Sequence, residues 1–364
     1  MADMLDYLTW RGDIRFSQAG VNDVDALIFS TLSYIRFEEI VSEDLLQAQP
    51  LNVVADFILA LPDARSRCRT EKDLVLLQAA AESKRFQNTR ITFYRSVFNP
   101  QEELQFAAVT FLMDDGTAFL AFRGTDNTLV GWKEDFNMSF QTSVPAQRLA
   151  QEYVQRFAAF TGVPLYLGGH SKGGNLAVYA GAKCGQAVQP RIMKVYNFDG
   201  PGFTEAMLAD PGYQKLVTRI NSFVPQFSVF GMMMERLENS QVIQSNAVGL
   251  LQHEPYFWQV LGKDLVPGES LTEGSRFLDR TLTTWLAGLD NTQRGEFFDG
   301  IFGLLMQENA SQPKDVLRPQ NVLAALKSLH LEEGKRRMMG SVLQELVDTA
   351  KSVHNTSQGE LQKK

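Results

Sequence analysis

The sequence predicts an α/β fold, a mostly parallel sheet flanked by helices, with helical additions at both ends. Three observations carry that expectation. Apolar residues in the amino-terminal third recur at helical spacing, the period then changes to that of strands, and from about residue 146 helices and strands alternate. Inside the alternation lies "LYLGGHSKGGNLAVYAG", beginning at Leu165, where an apolar run meets a knot of glycines around one serine, Ser171.

Residues 22–32 and 44–61 carry the helical spacing, with Pro50 dividing the second stretch. Residues 89–97, 104–113 and 117–122 read as strands, and Asp114-Asp115-Gly116 is a hairpin turn joining the last two. Residues 146–160 read as a helix, 163–167 as a short buried strand, 175–182 as a helix of small residues and 192–198 as the next strand. Two more strands follow at 217–224 and 241–245. After Trp258 the pattern is helical to about residue 353, including 275–289 and 319–329, and the polar "HNTSQGELQKK" is expected to fray. Antiparallel strands first and βα repeats later make an α/β-hydrolase layout. We expect one domain over 1–364: a helical region to about residue 85, a catalytic core over about 86–260, and a helical extension over about 261–364.

Composition narrows the function classes. A net charge of −7 gives no general attraction to nucleic acid or to an anionic membrane. No apolar stretch approaches the roughly 20 residues that span a bilayer, so no integral membrane association is expected. The first residues carry Asp3, Asp6 and Asp13 in place of a basic segment and an apolar core. Cys68 and Cys184 stand without C-x-x-C spacing, so reduced thiols, a cytoplasmic location and no metal site are expected.

Between strand and helix the chain must reverse within a few residues, and Gly169 and Gly173 sit where a side chain would collide with backbone. Ser171 is left at the tip. Such an elbow holds the hydroxyl proud of the sheet edge and aims the N–H of Lys172 at an oxyanion developing by the helix N-terminus. Gly-rich turns also cradle phosphate, but neither G-x-G-x-x-G nor G-x-x-x-x-G-K-[ST] occurs in this chain. A nucleophile is therefore preferred to a turn residue.

A serine hydroxyl needs a base to take its proton. Of the four histidines, His170 lies inside the elbow with its side chain expected to point away, and His330 and His354 read as solvated surface. His253, in "GLLQHEPYFW" beyond the last strand, stands where the order serine, acid, histidine puts the base. Asp199, in "VYNFDGPGF" at the carboxyl end of the strand after the nucleophile helix, is the candidate acid. It could equally cap the turn at Gly200, Pro201 and Gly202, with Glu205 and Asp210 as substitutes. Thr125, in "FRGTD", is the candidate second oxyanion donor beside Lys172, in a segment that also suits a plain turn.

"FRGTD", "GWKEDF", "GGHSKGGN" and "NFDGPGF" resemble the class 3 lipase superfamily. "DYLTWRGD" and "QHEPYFWQV" are similar to stretches of a related bacterial family of lipase-like α/β hydrolases, and the likeness runs over about 6–260. The resemblance implies Ser171 as nucleophile, His253 as base and Thr125 as oxyanion residue, steadied by Asp135 of "WKED". Those lipases place the acid in an "N-D-x-V-P" segment, where this chain reads "NSFVP" with Ser222. Other lipases place it one strand earlier, as Asp199 would be. The expected activity is an esterase-like serine hydrolase, acting without a cofactor on a small-molecule or lipid-like acyl ester through an acyl-enzyme on Ser171. Two alternatives stand beside it: a non-catalytic binding protein of the same fold, and an acyltransferase with an alcohol acceptor.

Overall fold

The computed structural model describes residues 1–125, 134, 137–138, 143–290, 292–294 and 333–361. Asp135, His330 and the helix expected at 319–329 lie outside the described residues.

Four helices open the chain: α1 (Met4–Arg11), α2 (Asp23–Leu32), α3 (Leu51–Leu59) and α4 (Glu71–Glu82). Asp3 and Asn22 cap the first two, each in a capping box that satisfies otherwise orphaned backbone N–H groups. Pro50 divides the second apolar stretch as expected: it ends the two-residue strand β1 (Gln49–Pro50) and stands directly before α3. The strands β2 (Arg90–Asn99), β3 (Leu104–Leu112) and β4 (Ala118–Phe122) follow, the last two joined across residues 114–116.

From there helix and strand alternate through α5 (Pro145–Phe160), β5 (Leu165–His170), α6 (Lys172–Lys183) and β6 (Ile192–Phe198). Next come α7 (Glu205–Leu208), α8 (Pro211–Leu216), β7 (Ile220–Pro225) and β8 (Ser240–Ile243). The eight strands form one sheet in sequential order, antiparallel from β1 to β4 and parallel from β4 to β8.

Sequential order means that every parallel crossover steps the same way, and right-handed crossovers then put their helices on one face. Accordingly Tyr153, Leu176 and Tyr213, from α5, α6 and α8, share a core with Ala118, Leu120 and Phe122 of β4. The alternate residues Phe119 and Ala121 face the other side, which α1 to α4 cover. Phe29 of α2 centres that layer, with its ring 4.8–5.6 Å from those of Phe16, Phe86, Phe111 and Phe119. A buried ion pair fixes the layer internally: the Arg85 guanidinium bonds both Asp25 oxygens at 2.5 and 2.7 Å, and Tyr7 donates to the same carboxylate.

Three expectations change. The strand read at 163–167 continues to His170, because Gly168, Gly169 and His170 pair with residues 196–198 of β6. The stretch after Trp258 first forms a short hairpin, β9 (Val260–Leu261) with β10 (Asp264–Leu265), and only then the helix α9 (Glu273–Gly288). Two-residue strands are too short to show a period. The final helix, α10 (Glu333–Leu361), runs through most of the polar tail instead of ending near residue 353. Among the described residues, no helix is long and apolar enough to cross a membrane.

Candidate active site

Because β5 ends at His170 and α6 begins at Lys172, Ser171 alone makes the turn, with φ 57° and ψ −133°. A non-glycine residue there costs about 1–3 kcal/mol, which the surroundings must offset. The Ser171 N–H donates to Phe198 O at 2.8 Å, and its carbonyl accepts from the Gly174 N–H at 2.9 Å. Close approach explains two glycines nearby. A Cβ on Gly173 would lie 2.1 Å from the Phe122 carbonyl oxygen, and one on Gly124 would lie 2.5 Å from that of His170. The start of α6 is therefore pressed onto the end of β4, and the segment carrying half-buried Thr125 lies against the elbow.

Asp199 follows β6 directly and is fully buried, also with a positive φ of 53°. Its Oδ2 lies 2.6 Å from His253 Nδ1, and Ser228 Oγ donates to its Oδ1 at 2.5 Å. Its own N–H donates to Phe223 O of β7 at 2.8 Å. The imidazole bound to this carboxylate sits on the last residue of a 3-10 turn, Gly249–His253, with the Phe230 ring 4.7 Å away. A carboxylate on Nδ1 leaves Nε2 as the free basic atom.

His170 turns toward this loop. Its ring centroid lies 4.5 Å from that of His253, and Nε2 lies 2.8 Å from the His253 backbone carbonyl. A carbonyl only accepts, so Nε2 carries the proton, and Nδ1 accepts from the Tyr34 hydroxyl at 2.8 Å. Burial, with His253 and Arg69 nearby, holds the imidazole pKa well below 6.5. Next in the chain, Glu254 is gripped by both arms of Arg69 at 2.5 and 2.7 Å, and Arg69 in turn lies over the Tyr34 ring. Tyr256 donates to Asp73 of α4 at 2.7 Å. The amino-terminal layer thus anchors the loop of the candidate base through Arg69 and Asp73, and His170 of β5 holds it at a third point.

Ser171 Oγ forms no hydrogen bond among the described residues, so the serine-to-imidazole contact is not made here; such contacts commonly tighten only with substrate. Glu205 stands exposed at the start of α7, and Asp210 caps α8 while bonding Lys183. Neither touches His253. Ser222 lies on β7 and donates to Glu238 at 2.7 Å, one strand beyond the one that delivers Asp199.

The chain matches the sequence model of the Mbeg1-like family over residues 80–303, more than half of its length and all of the elements just described from β2 to α9. It belongs to the Mbeg1-like family. No curated protein matches it. Among solved structures, this Mbeg1-like chain is similar to M37 lipase, at 16% identity and a TM-score of 0.38, over 58% of this chain and 68% of that one. It is also similar to a mutant form of MDLA from Penicillium cyclopium, at 12% identity and a TM-score of 0.39, over 68% and 86%.

Several side chains around the Mbeg1-like site went unnoticed in the sequence. Ser228, which bonds Asp199, is itself held by Ser275 of α9: its N–H donates to Ser275 Oγ at 3.2 Å, and that hydroxyl donates back to Ser228 O at 2.6 Å. Tyr34 bonds His170, and Arg69 bonds Glu254 of the base loop, each from more than 130 residues away in sequence. A lone serine or arginine carries no pattern that would single it out.

Proposed function

We propose that this protein is a serine hydrolase that cleaves an acyl ester through an acyl-enzyme on Ser171. The observation that carries this reading is the hydrogen bond of 2.6 Å between buried Asp199 and His253, in the loop packed against the elbow. His253 Nε2 takes the Ser171 proton as the hydroxyl attacks the acyl carbon, then gives it to the departing alcohol. Water, activated by the same nitrogen, releases the acid and restores the serine. Asp199 fixes the imidazole tautomer and stabilises its transient charge, and Ser228 holds the carboxylate in place. The Lys172 N–H, at the start of α6, and Thr125 receive the oxyanion. Asp135 keeps its proposed role of steadying Thr125.

Support comes from the strained backbone at both Ser171 and Asp199, since such strain collects at sites where geometry matters more than stability. The resemblance of the elbow to class 3 lipases points to acyl esters as the substrate class. A panel of acyl esters of graded chain length, run against wild type and Ser171→Ala, tests the proposal. Hydrolysis by wild type alone supports it. No hydrolysis of any ester by the folded protein favours the non-catalytic binding reading, and turnover only with an alcohol acceptor favours acyl transfer.

A further inference from the structure

Beneath the elbow, Lys172 Nζ and the Glu134 carboxylate form an ion pair of 3.0 Å with both side chains fully buried. Nζ donates to Gln105 O at 2.8 Å, Gln105 Oε1 at 2.7 Å and Glu134 Oε2, so all three N–H bonds are used. Glu134 accepts in addition from the Gln105 N–H at 3.1 Å and the Ala146 N–H at 2.9 Å. One knot thereby joins the start of β3, the start of α5 and the residue that follows the candidate nucleophile. Stability alone does not call for it, because burying two charges costs several kcal/mol per ion and an apolar pair of similar volume often serves as well or better.

The pair supplies direction. The ψ of Ser171, −133°, sets the plane of the Ser171–Lys172 peptide, and that peptide carries the N–H assigned to the oxyanion. Its conformation is strained and must be held from both sides. On one side Ser171 N–H is tied to Phe198 O; on the other, the Ser171 carbonyl accepts from Gly174 N–H within α6, and the Lys172 side chain ties the peptide across to β3. We propose that Lys172 and Glu134 are positioning residues for the oxyanion site, locking this peptide so that its N–H faces the reacting acyl oxygen. The pair is electrically neutral, so it acts through orientation and governs rate more than substrate affinity. This inference rests on Ser171 being the nucleophile.

The test measures the rate of Ser171 phosphonylation by a fluorophosphonate, with kcat and KM on an ester that wild type hydrolyses, all per folded molecule. Lys172→Met should lose about 10- to 100-fold in phosphonylation rate and kcat, short of deleting a donor outright, with KM within about twofold. Glu134→Gln keeps an acceptor for Nζ and should lose less, and Gln105→Leu, which removes one of the three acceptors, least. If Lys172→Met fails to fold, the two milder variants carry the test and must each lower kcat at constant KM. A folded Lys172→Met, or both milder variants, that keep the wild-type rate while losing only thermal stability overturn the inference. Folded wild type that does not label at all overturns the assignment of Ser171, and this inference with it.

Discussion

His170 Nε2 donates to the backbone carbonyl of His253 at 2.8 Å, so the histidine before the candidate nucleophile holds the loop of the candidate base. Both ring nitrogens are engaged, and burial keeps the ring neutral, so that Nε2 donates and Nδ1 accepts.

A pH dependence follows. Burial lowers the His170 pKa well below 6.5, so between that depressed value and 6.5 the unfolded chain binds a proton that the native ring refuses. Stability must then fall as pH drops below about 6.5, by up to about 1.4 kcal/mol per pH unit from this one group. Thermal unfolding of wild type and His170→Gln between pH 7.5 and 5 checks this. The variant should lose less of its stability on acidification, and parallel curves would contradict the neutral buried ring.

Arg69→Met should loosen the base loop without touching the site directly. Glu254 would lose two charge-assisted hydrogen bonds in a mostly buried setting, a cost of about 1.5–3 kcal/mol. Chemical denaturation should show that loss, and ester turnover per folded molecule should fall because His253 is the neighbouring residue. Unchanged turnover would mean that His170 and Tyr256 hold the loop unaided.

Asp199→Asn keeps the size of the side chain and removes the carboxylate charge that faces His253. Turnover should fall by about 10⁴-fold, the scale known for such a change in a serine triad. Ser228→Ala should cost far less, about fivefold, the rate equivalent of one hydrogen bond worth about 1 kcal/mol. Steady-state kinetics on folded protein measure both. A folded Asp199→Asn near the wild-type rate would leave the residue as a turn former only.

Much of this arrangement was legible in the sequence because it is local. Alternation reports which face of β4 each residue takes, and the glycines around Ser171 report where backbone meets backbone. Chain order brought Asp199 and His253 forward together. The supporting contacts are not local: Tyr34 meets His170 from 136 residues away, and Ser275 reaches Ser228 across 47. Nothing periodic marks them. The charge of Lys172 was visible, but its burial on Glu134 depends on three elements meeting beneath the elbow. The place of His170 inside the elbow predicts a side chain pointing away from the serine, but not that its ring meets the His253 loop.

The most direct measurement is mass spectrometry of the intact protein and its peptides after exposure to a fluorophosphonate. A single adduct on Ser171 is predicted, absent in Ser171→Ala and formed far more slowly in His253→Ala. Folded wild type that stays unmodified, or an adduct on another residue, would contradict Ser171 as the nucleophile.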